Sequence, residues 1–206
     1  MARKTKEEAQ ETRNRILDAA ETVFQARGVS HTTLAEIASE AGVTRGAIYW
    51  HFENKVDLFD AMIQRVLDPI ELKLAEFQSN AGENPVDALR AIALYFLDRV
   101  AKEPAYMRVL EITWHKCEYV GEMATIRDNH LECGNRYLDV LTEGFKLARK
   151  RGFLPASTDP RYAAVGLMAL VDGLVVNWTL DNKLFRLDRA APAIIDSYLA
   201  GLAKGS

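Results

Sequence analysis

Apolar positions recur along almost the whole chain with the 3.6-residue period of a helix. Ile16, Ala20, Val23 and Phe24 fall on one stripe, and Gly28 stands where it can end that helix. Leu34, Ile37, Ala38 and Ala41 form the stripe of a short second helix, stopped at Gly42. Thr44 is placed to cap a third, Arg45 to His51. Val56, Phe59, Met62, Ile63, Val66, Ile70, Leu74 and Phe77 share one side of a fourth. Pro69 lies inside that run, removes a backbone donor and predicts a kink. Thr5-x-x-Glu8 and Thr33-x-x-Glu36 are capping boxes, and Asn54-x-x-Asp57 opens the fourth helix.

The stretch from Ser79 to Pro85 reads as a loop. Helices follow over Val86 to Ala101, Pro104 to about Tyr119, Met123 to Lys150, Arg161 to Leu180 and about Asp188 to Ala203. No run alternates with period two between turn pairs, so strands are not expected. The pattern predicts an all-α fold of about nine helices.

Composition narrows the class. With 206 residues, 49% hydrophobic and 27% charged, the chain is an ordinary globular one and not a disordered one. Two cysteines, Cys117 and Cys133, exclude a disulfide scaffold and point to a reducing interior. The basic residues of the N-terminus have no apolar stretch behind them, so a signal peptide is not expected. The longest apolar run, Ala163 to Val176, is interrupted by Asp172, so no membrane span is expected and the reading is cytoplasmic. The formal net charge is -3, yet residues 1–55 are balanced, and the acidity lies beyond them. There is no phosphate loop, dinucleotide fingerprint, HExxH or nucleophile elbow, which argues against an enzyme. His115 and Cys117 are two apart on a helix and point to different sides. His130 and Cys133 are too few for zinc, so neither metal nor cofactor is expected.

The informative stretch is Thr32 to Lys55. It reads as a short helix, a Gly turn at Gly42 and a second short helix whose packing face is Ile48 with its neighbours. Outward it leaves Thr44, Arg45, Gly46, Tyr49, Trp50 and His51, where a solvated face would carry Glu and Lys. That set suits a DNA groove. Arg45 is placed to bond guanine O6 and N7, Gly46 lets the backbone come close, and Tyr49 can meet a thymine methyl or a phosphate. Thr33, Thr44, Trp50, His51 and Lys55 offer donors to phosphates.

The run G-V-T-R-G-A-I-Y-W-H-F-x-N-K resembles the helix-turn-helix of the TetR family of transcriptional repressors across its whole length. The opening K-T-K-E-E-A-x-x-T-R-x-x-I-L-x-A-A is similar to that family's first helix. The resemblance implies a three-helix DNA-binding head over residues 1–55 and a ligand-binding, dimerising body over 56–206. Within the body, E-I-x-x-x-K-C-E at Glu111 to Glu118 and V-D-G-L-x-x-x-W at Val171 to Trp178 resemble the TtgR- and AcrR-like branch, which represses multidrug efflux pumps. That implies a pocket for varied aromatic or amphipathic molecules.

Read for itself, the body offers four apolar faces: Leu89, Ile92, Ala93 and Phe96; Met107, Leu110, Trp114 and Cys117; Cys133, Tyr137, Val140 and Leu141; and Leu167, Met168, Val171, Asp172 and Val175. Converging, they would line a mainly hydrophobic cavity with a few polar handles. Asp172 is expensive to bury unpaired. It either orients a ligand, bonds a neighbouring helix or sits at a dimer seam, and the resemblance favours the ligand. Tyr162, Val165, Ala169, Val176, Ile194, Ile195, Tyr198, Leu199 and Leu202 would serve a four-helix seam between two copies. A homodimer through the last two helices is expected because one short helix reads too few bases, whereas two read a palindromic operator. The expectation is therefore a dimeric repressor of an efflux system, bound to double-stranded DNA and released by a small-molecule inducer. The alternative is a regulator of a metabolic pathway, sensing an acyl or aromatic metabolite.

Overall fold

A computed structural model describes residues 6–79 and 83–204. The capping box predicted at Thr5 therefore falls outside the described residues. Among those described there are nine α-helices and no strand: α1 Lys6–Arg27, α2 Leu34–Glu40, α3 Arg45–His51, α4 Lys55–Ser79, α5 Pro85–Lys102, α6 Pro104–Glu111, α7 Ala124–Lys150, α8 Pro160–Leu180 and α9 Leu187–Lys204.

The chain forms two compact units, Met1–Leu67 with Arg108–Asp128, and Asp68–Met107 with Asn129–Ser206. The first unit thus reaches past residue 55 and takes in a second stretch of chain. Its core is built from Ile16, Leu17, Phe24, Ile37, Ile48, Phe52, Leu58, Phe59 and Met62, all buried. The rings of Phe24 and Phe59 meet edge to face with centroids 5.7 Å apart. Glu21 of α1 is buried, and its carboxylate is held by Arg65 of α4 and by Arg108 of α6 at 3.2 Å. Two guanidiniums on one buried carboxylate satisfy it, so removing Glu21 would leave the Arg108 guanidinium without its carboxylate.

The starts of the short helices follow the sequence reading. Thr33 accepts from the backbone N–H of Glu36 while the Glu36 carboxylate accepts from the N–H of Thr33 at 2.8 Å, closing the capping box. Asn54 Oδ1 accepts from the Asp57 N–H at 2.9 Å. Gly42 has φ +63, the left-handed conformation its turn requires. Pro69 sits inside α4, which continues to Ser79.

α6 ends earlier than the apolar spacing suggests. Past Glu111 the chain takes one π-helical turn, Ile112–Lys116, and leaves it extended at Cys117. The wider turn frees carbonyls that side chains then satisfy. Thr113 donates to the Val109 carbonyl at 2.7 Å, and the Tyr119 hydroxyl donates to the Thr113 carbonyl at 2.9 Å.

In the second unit α5 packs against α8 and α9. Leu89, Ile92, Ala93, Leu97 and Val100 of α5 are buried with Leu167, Val171 and Val175 of α8 and Ile195 and Leu199 of α9. Asn84 and Asp159 cap α5 and α8, each followed by proline at the first helical position. Arg90 of α5 forks onto Asp196 of α9, with the Nη2 contact at 2.9 Å. By length and composition α8 is apolar enough to cross a membrane, with a mean hydropathy of 1.7. One side of α8 is core and Asp172 lies at its middle, which is the pattern of a helix packed in protein.

Candidate nucleic-acid interface and effector site

The first unit presents α3 with one face in and one face out. Ile48 and the following Phe52 are buried and anchor it. Thr44, Arg45, Gly46, Tyr49 and Trp50 are exposed and His51 is half-buried, so the outward set is where helical spacing puts it. Tyr49 and Trp50 are 48% and 73% exposed, which is unusual for rings on a short helix without an external partner. The Arg45 guanidinium lies over the Tyr49 ring at 5.8 Å, and the Trp50 and His51 rings meet at 4.5 Å. This orders a basic and aromatic face on a rigid element. A Cβ added to Gly46 would meet only Thr44 Oγ1, at 4.0 Å. Nothing inside the chain therefore requires glycine there, and the bare backbone faces outward.

Two hydroxyls expected at phosphates are already used as caps. Thr33 Oγ1 lies 2.8 Å from Glu36 Oε2, and Thr44 Oγ1 accepts from the Ala47 N–H at 3.1 Å. A cap of this kind keeps the Thr44 hydroxyl proton available outward. Lys55 differs from the sequence expectation more sharply. Its ammonium donates to the carbonyls of Val29 at 3.1 Å, Thr32 at 3.2 Å and Ser30 at 3.5 Å. The α1–α2 loop carries no sequence mark showing that its carbonyls converge on this ammonium. The same loop is gripped again where the Val29 N–H donates to the Lys116 carbonyl at 3.0 Å.

Of the expected effector residues, Leu110, Trp114 and Cys117 belong to the first unit. The regular α-helix ends at Glu111, before Trp114, and Cys117 already lies in extended chain. Leu110 is buried, while Trp114 is 40% exposed and lines an open, mainly polar cleft of about 330 Å³ with Cys117, Arg27, Gly28 and His31. Burial pushes the Cys117 thiol up to about 11, against the pull of Lys55, so it stays protonated near neutrality.

The remaining candidates lie in the second unit. Leu89, Ile92, Ala93, Val171 and Val175 are buried core, and Phe96, Cys133, Tyr137, Met168 and Asp172 are half-buried. α7 and α8 are bridged by the Met168 side chain, since a Cβ on Gly134 of α7 would lie 3.9 Å from Met168 Cε, an ordinary van der Waals contact. One turn further along each helix stand Tyr137 and Asp172, close enough for the carboxylate to oppose ionisation of the phenol. Burial pushes the Asp172 carboxyl up to about 6. Asp172 is thus a half-buried acid whose charge is felt at the Tyr137 hydroxyl, one turn along α8 from Met168. Arg99, Tyr95 and Tyr106 form a second polar group that periodicity did not single out, because each alone reads as helix surface.

On the outer side of α8, Tyr162 is 77% and Val165 45% exposed, while Ile195 and Leu199 of α9 are buried inside the chain. Two of the nine residues expected at the seam, Ile195 and Leu199, are therefore core, and the most exposed of the rest, Tyr162, Val165 and Ala169, lie on α8.

Comparison with known proteins fits this geometry. Residues 16–62 match the family model of bacterial regulatory proteins, tetR family, and residues 84–203 match that of the MAATS-type transcriptional repressor C-terminal region. The chain is 41% identical over 192 residues to the HTH-type transcriptional regulator AcrR of Shigella flexneri, covering 93% of this chain and 89% of that one. Its fold is similar to that of NalD, the secondary repressor of the MexAB-OprM multidrug efflux pump in Pseudomonas aeruginosa, with a TM-score of 0.87 and 33% identity over 98% of this chain and 100% of that one. SmeT, the repressor of the Stenotrophomonas maltophilia multidrug efflux pump SmeDEF, has been solved as a complex with triclosan. That structure is similar with a TM-score of 0.84 and 31% identity, over 93% of this chain and 91% of that one.

Proposed function

The chain belongs to the TetR family of transcriptional regulators, and from that premise we propose that it is a homodimeric efflux-system repressor released by small aromatic or amphipathic compounds. It is a DNA-binding regulator and not an enzyme. The observation that carries the reading is the outward face of α3, with Arg45, Gly46, Tyr49 and Trp50 exposed on a helix anchored by Ile48. Residues 1–55 serve as the DNA-reading head and 56–206 as the effector and dimerisation body. Arg45 reads a base pair in the major groove, while Thr44, Tyr49, Trp50 and His51 contact phosphates and the groove wall. Two heads, joined through α8 and α9, fit the two halves of a palindrome. The Met168, Tyr137 and Asp172 group supports an effector site in the body. An inducer needs a coupling of only about 1–3 kcal/mol to lower operator affinity 5–150-fold. The relatives above 30% identity that carry a printed role repress efflux pumps, which favours this over a metabolic sensor. The family supports a cytoplasmic site of action.

Fluorescence anisotropy tests this on duplexes from the DNA flanking the chain's own gene, against scrambled controls, at two salt concentrations and with a panel of amphipathic aromatic compounds. Selective binding released by a compound is expected. Binding equal to the scrambled controls, followed by an empty random-duplex selection, would refute it.

A further inference from the structure

The spacing of the motif offers Lys55 to a phosphate, and the structure turns its ammonium onto the carbonyls of Val29, Ser30 and Thr32 instead. Another cation stands at the end of the reading helix, and it comes from α1. α3 closes at Phe52, whose N–H donates to the Ile48 carbonyl at 2.9 Å and whose ring is 1% exposed. The Arg13 guanidinium lies over that ring, 5.1 Å from its centroid. The His51 ring is 6.3 Å from the Phe52 ring and 4.5 Å from the Trp50 ring. Arg13 is thus fixed beside the last turn of α3, next to the aromatic side chains that end its outward face. All four residues belong to the first unit.

Arg13 is half-buried, yet it makes no ion pair and no hydrogen bond among the described residues. Its neighbours one turn away on α1 are Ala9, Gln10, Ile16 and Leu17, and none is acidic. Arg27, Arg65 and Arg108 of the same unit each hold a carboxylate. Resting on a ring uses the face of a guanidinium and none of its five N–H donors. Arg13 is therefore an ordered cation whose donors are all open, and their fork matches the oxygens of a phosphate two at a time. It stands on a second helix beside the reading helix, so it meets a duplex at a strand and not at base edges.

We propose that Arg13 is a phosphate-contacting residue of the DNA interface, held on Phe52 so that its guanidinium clamps the strand beside the end of α3. This extends the DNA reading above to a residue of α1 and rests on it.

The test uses the full-length protein and anisotropy at four salt concentrations, on the operator duplex from the DNA flanking the chain's own gene and on a scrambled duplex. Two variants separate charge from cover. Arg13→Met keeps an unbranched chain over Phe52 and removes the charge, while Arg13→Lys keeps the charge. Arg13→Met should lose about tenfold or more in affinity at low salt, by similar factors on both duplexes, because a strand contact carries no sequence information. The slope of log affinity against log salt should fall by about one for each head. Arg13→Lys should keep the wild-type slope. Arg13→Gln gives the same reading if the methionine variant does not fold. A wild-type slope in Arg13→Met would overturn the proposal, with or without a lower melting temperature, since Arg13 would then only cover Phe52. So would a loss confined to one base pair of the operator, which would make Arg13 a base reader. Wild type binding both duplexes equally would refute the operator-selective repressor, and the slopes on scrambled DNA would still decide the role of Arg13.

Discussion

The Lys55 ammonium donates to the Val29 carbonyl at 3.1 Å and, through the neighbouring carbonyls of Ser30 and Thr32, ties the start of α4 to the loop between α1 and α2. A lysine held this way is expected to position the reading helix rather than to contact phosphate. Lys55→Gln should lower the melting temperature, with a loss of about 1–2 kcal/mol, and weaken operator binding. The slope of log affinity against log salt should stay as in wild type. A phosphate-contacting lysine would instead reduce that slope by about one on removal. Anisotropy titrations at four salt concentrations decide between the two roles.

Gly46 sets stability and function against each other. Its absent Cβ would meet only Thr44 Oγ1 at 4.0 Å, and glycine within a helix is costly to the fold. Gly46→Ala should stabilise the protein by about 0.5–1 kcal/mol. The added methyl points where the groove wall comes, so operator affinity should fall by about tenfold or more. Thermal melts and operator titrations on the one variant give the opposite signs directly. A variant that keeps full operator affinity would place α3 outside the groove.

Arg45 bears on sequence preference. Exposed, and steadied over the Tyr49 ring at 5.8 Å, it is free of ion pairs among the described residues. Arg45→Ala should cost about 1–3 kcal/mol per half-site and relax preference at one base pair. Measured against operator variants substituted at each position, the loss should be confined to one G·C pair and absent on scrambled DNA. Unaltered discrimination would remove Arg45 from the base-reading set.

The reading head was legible in the sequence because its marks are local. Thr33 with Glu36, Thr44 and Gly42 each announce a cap or a turn within four residues, and the structure has all of them. The helical order of the body was legible for the same reason, from the 3.6-residue stripes. What escaped depends on contacts far apart in sequence. Lys55 meets carbonyls more than twenty residues away, and Glu21 meets Arg108 across 87 positions. The π-helical turn at Ile112–Lys116 escaped because a wider turn leaves the composition and the apolar spacing of the segment unchanged. Ile195 and Leu199 could not be divided between core and seam by periodicity, because both destinations are apolar.

Asp172 gives the effector body a pH dependence. Burial raises its carboxyl to about 6 from the ordinary 3.8, so the folded chain holds the proton more tightly than the unfolded one. The resulting stability is fully present below pH 4 and is lost as pH rises through 6. Asp172→Asn keeps the shape and removes the charge. The variant should be more stable than wild type by about 1–3 kcal/mol at pH 7.5 and nearly equal to it at pH 3.5. Urea unfolding at both pH values measures this, and a difference that does not change with pH would mean the carboxylate is compensated by a partner.

The uncovered side of α8 predicts how the protomers meet. Tyr162 at 77% exposure and Val165 at 45% stand on the outward side of a helix whose other side, at Ala163, Ala164 and Leu167, is closed by the chain itself. The chain has no internal use for either ring or branch in water. In a two-fold pair, each α8 would lie against its copy, and an apolar residue would face its equivalent. Tyr162→Glu therefore places two like charges near one another in the paired state and none in the core of the monomer. The variant should keep its helical circular dichroism, sediment as a monomer at micromolar concentration, and lose operator binding while retaining effector binding. Retention of all three properties of the dimer would move the seam to another face. Loss of the helical signal would show that Tyr162 supports the fold itself.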